Sequence, residues 1–246
     1  MKRKFWLFLP VIGMFLLACG KEQEGSVNIR IKLMYGNQPF EMFKVYQYPG
    51  GGEDFRMNRL SFFISDFTLR SSGGDQNILD IDYLDLTASH TDPVAPNGLE
   101  YRIENVKAGT YAGFDFGIGV PATENAKSPS DFPPSSILSG SAEYWASWKS
   151  YIFFRPEGNI ALDGKPIGET DFALHLGADQ AFRKIIYNRG VTVKEGETTN
   201  IDIVLDIKKY FNGKTLYDIH DTQQIHSLFQ MPLITQLADN LAVSFR

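Results

Sequence analysis

The chain has 246 residues, 43% hydrophobic and 22% charged, and a formal net charge of −5. These are the proportions of a globular protein, not of a disordered, collagen-like or multi-span one. An acidic chain lacks the cationic surplus that displaces counterions from a phosphate backbone, which argues against nucleic acid as a partner. The single cysteine, Cys19, excludes an internal disulfide framework and any cluster of thiolate ligands.

Residues 1–4 are basic, and Phe5–Ala18 is an apolar run shorter than the roughly 20 residues of a spanning helix. The run closes on Leu16-Leu17-Ala18-Cys19, which resembles a lipobox: small residues admit the signal peptidase, and the thiol accepts diacylglycerol. The reading divides the chain into a signal peptide (1–18), a lipidated tether (19–25) and one domain (26–246). Acyl chains on Cys19, palmitate among them, would anchor the protein to a membrane without spanning it. Loss of Lys2, Arg3 and Lys4 takes the net charge from −5 to −8. The tether Gly20–Glu24 resembles a sorting signal for outer-membrane lipoproteins, periplasmic or surface-facing, and reads equally as a solvated spacer.

From Val27 the pattern has a period of two. Val27, Ile29, Ile31 and Leu33 alternate with Asn28, Arg30, Lys32 and Met34, and Ile201, Ile203, Leu205 and Ile207 alternate with Asp202, Val204, Asp206 and Lys208. Leu60–Arg70, Ile78–Leu86, Thr110–Val120, Tyr151–Arg155, Asp171–Leu176, Lys184–Tyr187 and Val191–Lys194 also read as strands between turn residues. No amphipathic helix of ten residues falls between them, so the expected fold is all-β, an antiparallel β-sandwich of Ig-like or jelly-roll-like type. Thr222–Leu228 reads as a short helix. Pro232 then opens a C-terminal capping helix carrying Leu233, Ile234, Leu237, Ala238, Leu241 and Phe245 on one face and Gln236, Asp239 and Asn240 on the other. Pro121–Ser150, rich in proline and serine, is a long loop of the kind in which function collects. It holds Trp145 and Trp148, which at a spacing of three would share a face of a helical turn.

Enzyme signatures are missing: there is no nucleophile elbow, Walker loop, zinc-protease helix or dinucleotide fingerprint. Asp80, Asp82 and Asp85 read as a solvated sheet face. The four histidines are His90, His175, His220 and His226. His175 shares a strand face with Ala173, opposite Phe172 and Leu174. A lone strand histidine is more often a hydrogen-bonded structural residue than a ligand. With Cys19 taken by lipid, a transition-metal site would use imidazole, carboxylate, thioether or an aromatic group, a set that suits copper or zinc.

Five segments together resemble the copper-binding MbnP-like family, exported bacterial proteins named for a methanobactin-associated member. They are Arg59–Leu69; Gly109-Thr110-Tyr111 with Phe116–Pro121; Trp145–Trp148 running into Tyr151–Gly158; Leu174-His175-Leu176-Gly177; and His226 with Ala238-Asp239-Asn240-Leu241. The order runs through nearly the whole mature chain. The resemblance implies a β-sandwich that holds copper outside the cytoplasm and is not an enzyme. Some members carry a tryptophan oxidised by a di-haem peroxidase-like partner. Carried over, His175 and His226 are the metal-ligand candidates, and Trp145 or Trp148 is the modifiable or site-lining aromatic. The tryptophan spacing here is one residue longer than the family's, and Ala178-Asp179-Gln180 stands where some members have cysteines. The competing expectation is a metal-free surface module in which Tyr144, Trp145 and Trp148 form a platform for a glycan or a protein. Ring nitrogens of His175 and His226 within about 4 Å of each other would favour the metal.

Overall fold

The computed structural model describes residues 23–246; the expected signal peptide (1–18) and the expected lipidation site Cys19 lie outside the described residues. Two β-sheets form the body. In the first, β1 (Glu24–Tyr35) lies between β4 (Leu99–Lys107) and β11 (Thr198–Asp206). Val27, Ile29, Ile31 and Leu33 are buried, while Asn28, Arg30 and Lys32 face outward half-buried. The partner strand repeats the alternation in register, with Ile29 beside Ile201, Ile31 beside Ile203 and Leu33 beside Leu205. On the wet face the same register sets Arg30 opposite Asp202, bonded at 2.6 and 2.9 Å. β1 and β11 run parallel, the chief departure from an antiparallel sandwich.

The second sheet is organised on β2 (Asp54–Arg70), which extends the expected strand six residues toward its N-terminus. β3 (Gln76–Asp85) pairs along one edge; the other is shared by β5 (Gly113–Ile118), followed by β10 (Arg183–Tyr187), and by β7 (Ser150–Ile160). Beyond β7 lie β8 (Asp171–Leu174), β9 (Leu176–Gly177) and, parallel to β8, β12 (Gln224–Ile225). Leu60–Ser65 and Ser150–Phe154 are buried on both faces. Phe62 and Phe154 stack inside the sandwich. Phe63 and Tyr151 face the other way, beneath residues 121–150, where Tyr151 meets Phe132 and Tyr144 and its hydroxyl donates to the Leu138 carbonyl at 2.5 Å. The excursion is therefore a roof. Apolar side chains of the outer sheet face order it, with only short helical turns and β6 (Tyr144–Trp145), hydrogen-bonded to the start of β7.

Helix α1 (Ile207–Phe211) follows β11, opened by the Asp206 carboxylate accepting from the Lys208 N–H. α2 (Met231–Ser244) closes the chain, with Pro in its first turn and Ile234, Leu237, Ala238 and Leu241 buried. Asn240, expected on the solvent face, is fully buried: it accepts the Lys214 and Thr215 N–H groups and donates to the Thr215 carbonyl. The helix expected over Thr222–Leu228 does not form. Gln224–Ile225 adds to the open edge of β8 instead, because that pairing satisfies backbone groups a single helical turn would leave free. Among the described residues no helix is long and apolar enough to cross a membrane.

Candidate functional site

Glu157 and Arg155 alternate with inward residues on β7, so both stand on its outer face. Across the strand pair, Glu157 lies opposite Ala173, and His175 occupies the break between β8 and β9. Phe172, Leu174 and Leu176 enter the core, which leaves Ala173 and His175 on the face shared with Glu157. His175 is buried, its side chain 4% exposed.

Nε2 of His175 lies 2.8 Å from Glu157 Oε1. The ionised carboxylate can only accept, so Nε2 carries the proton and donates it. Nδ1, on the other side of the ring, is buried with no hydrogen-bond partner, and in the neutral tautomer that keeps its proton on Nε2 it is a lone pair. Glu157 is held well below the usual carboxylate range, at about 2, first by the His175 hydrogen bond and then by Arg155, whose Nε lies 2.6 Å from the same oxygen.

His226 is an exposed residue whose ring lies 4.9 Å from that of His175 between centroids, tilted by 32°. Loss of solvent, and then the neighbouring His175, lower its pKa below the ordinary value. Trp145 meets both imidazoles edge to face, at 5.2 Å from His175 and 5.3 Å from His226. Trp148 has a different post. It is 7% exposed, stacks edge-on against Trp145 at 4.7 Å, and donates its indole N–H to the His226 carbonyl at 3.2 Å. The two tryptophans meet through a turn closed by Trp148 N–H to Trp145 C=O, not a helix. Trp145 lines the site, and Trp148 fastens the backbone of His226. Cys19 is not among the described residues, and His220 pairs elsewhere with Glu53.

Among the described residues no group of three or more His, Cys, Asp and Glu is gathered to hold an ion. The donor set is two imidazoles beside an indole. Sequence reasoning overlooked the supporting carboxylates and guanidiniums. Arg155-Pro156-Glu157 was legible as two charges on one strand face, but nothing local set them against His175.

The fold and site define a β-sandwich protein whose roof loop presses a tryptophan onto a pair of histidines. The sequence profile of the MbnP family matches residues 24–227, so the chain belongs to that family. Among solved structures, MbnP from Methylosinus trichosporium is similar to it with a TM-score of 0.51, over 80% of each chain at 13% identity, a likeness of fold alone. No curated protein matches significantly.

Proposed function

We propose that this is a lipid-anchored, extracytoplasmic copper-binding protein with no catalytic role, its ligands being His175 and His226 with Trp145 lining the site. One observation carries the reading: a buried imidazole whose Nε2 is committed to a carboxylate and whose Nδ1 has no hydrogen-bond partner. Metal-binding histidines are oriented in this way, the distal N–H held by a carboxylate that fixes the tautomer and raises the basicity of the ligating nitrogen. A buried nitrogen otherwise left unsatisfied costs about 1–3 kcal/mol. Imidazole donors suit copper and zinc, and family membership directs the choice to copper. Copper held here would supply a redox-active centre whose potential depends on its donors. The chain's own residues orient the ligands and limit water on the Trp145 side. Anchoring through Cys19, residence at the outer membrane and service to a di-haem peroxidase-like partner belong to the same reading.

The test is equilibrium titration of copper, with zinc as competitor, into the chain without its first 19 residues, which retains every described element. One equivalent should bind, and His175→Ala and His226→Ala should each lose it. Stoichiometric binding that survives His175→Ala would mean the site is elsewhere.

A metal-free binding module has one observation in its favour. Phe229 is 98% exposed three residues after His226, in a turn braced by Ser227 and Gln230. A wild-type chain that takes up no copper would transfer the reading there.

A further inference from the structure

Residues 121–150 contain three acids, of which Glu143 alone is buried. Its carboxylate faces the sheet. Oε1 accepts from Arg59 Nη2 at 2.8 Å and from Arg155 Nη1 at 3.1 Å, and Oε2 lies 3.1 Å from the same Arg155 nitrogen. Its backbone carbonyl accepts the Ile152 N–H at 2.7 Å, and Trp145 follows two residues on. Arg59 also donates to the Tyr83 hydroxyl, which donates to Ser61. Arg155 spends its Nε on Glu157, the residue that grips His175. Charges thus alternate from Arg59 through Glu143 and Arg155 to Glu157, ending on the His175 ring.

Apolar contacts hold much of this roof, and such contacts tolerate sliding; a carboxylate shared by two guanidiniums is directional. The Glu143 ion pairs fix the roof relative to β2 and β7 within two residues of the indole that touches both imidazoles. The same Arg155 is placed by Glu143 on one side and steadies Glu157 on the other.

We propose that Glu143 is a positioning residue: paired with Arg59 and Arg155, it pins the roof so that Trp145 lies against His175 and His226, and through Arg155 it holds Glu157 on His175. Its consequence for copper rests on the proposed function, whereas the placement of the rings does not.

The experiment is imidazole NMR of the metal-free chain without its first 19 residues, followed by copper titration. Glu143→Gln should move the ring resonances of both His175 and His226, which feel the Trp145 ring current, and leave those of the buried His90 in place. Copper affinity should fall by up to about 10-fold, the low end of what losing a carboxylate bonded directly to a ligating imidazole costs, because Glu143 acts through Arg155 and Glu157. Glu143→Asp, which keeps the charge, should recover part of both effects. Asp131→Asn, an exposed acid of the same roof bonded only to Ser128, should move neither. Should Glu143→Gln not fold, Arg59→Gln, which removes one of the two guanidiniums, is expected to shift the same two rings to a smaller degree. Unmoved His175 and His226 resonances in a folded Glu143→Gln or Arg59→Gln chain would overturn the proposal. Absence of copper uptake by the wild type would remove the copper reading alone, leaving the metal-free spectra to decide the role of Glu143.

Discussion

Glu157→Gln preserves the shape of the side chain beneath His175 and removes its charge. The carboxylate is held at about 2 against an ordinary 4.5, with the His175 hydrogen bond the larger cause and Arg155 next. Lowering the pKa from 4.5 to about 2 corresponds to about 3 kcal/mol. Since 27% of the side chain is in solvent, screening reduces this to about 1–2 kcal/mol. The unfolded carboxylate binds its proton at the higher pH, so this stability is complete above about 4.5 and is lost as the pH falls toward about 2. Urea unfolding at pH 7 should therefore find Glu157→Gln about 1–2 kcal/mol less stable than the wild type, with the gap closing by about pH 2–3. The variant should also change the tautomer. A carboxylate forces the proton onto Nε2 of His175, whereas an amide can donate to that nitrogen and let the proton move to Nδ1. Imidazole 15N shifts report this directly: the wild type should show a protonated Nε2 and a bare Nδ1, the variant a mixture. A stability gap independent of pH, together with unchanged His175 nitrogen shifts, would mean that the Glu157 carboxylate does not hold the His175 ring.

His90 is fully buried; Nε2 accepts the Leu33 N–H at 3.2 Å, and Nδ1 donates to the Leu86 carbonyl at 2.9 Å. Burial lowers its pKa, so its share of stability is present above about 6.5 and is lost as the pH falls below that through the lower folded value. Chemical denaturation should show His90→Leu destabilised by about 2–4 kcal/mol at pH 7, because two backbone groups lose partners, and part of the wild type's loss between pH 7 and 5 should vanish in the variant. Gly177→Ala would drive a methyl to 2.7 Å from the Tyr151 carbonyl and 3.1 Å from the Trp148 ring. A loss of about 1–3 kcal/mol with a changed near-ultraviolet tryptophan signal is expected, and a silent substitution would count against the packing described. Asn240→Ala strips two N–H groups of their acceptor and should cost about 2–4 kcal/mol in urea; a loss below about 0.5 kcal/mol would contradict that role.

Much of the fold was legible because its signals are local. The alternation in Val27–Leu33 and Ile201–Leu205 reports burial on one face, and the structure sets the two runs in register. What the alternation does not carry is direction, so it does not distinguish the parallel pairing of β1 with β11 from an antiparallel one. β4 is a strand the sequence reading leaves out: Leu99, Tyr101 and Ile103 alternate with charges but are only half-buried, and Val106 is its single buried residue. At Thr222–Leu228 local spacing pointed to a helix and the open edge of β8 prevailed. Asn240 sits where helical phase implies solvent, but the chain at Lys214–Thr215 folds over it.

The site was legible in its scarce residues and not in its support. His175, His226 and Trp145 stand out because the chain has few of each kind, and tertiary folding brings their rings together. Glu143 and Glu157 are carboxylates among many, and no local pattern separates a buried one from a solvated one. Trp148 was paired with Trp145 by spacing alone; the structure separates them by exposure and by the bond to the His226 carbonyl.

The central claim is that the free Nδ1 of His175 is a copper ligand. Imidazole 15N NMR of the wild-type chain during anaerobic addition of the diamagnetic cuprous ion tests it most directly. His175 Nδ1 and one nitrogen of His226 should shift until one equivalent has been added, while the proton on His175 Nε2 remains. Saturation with copper that leaves the His175 nitrogens where they were would contradict it.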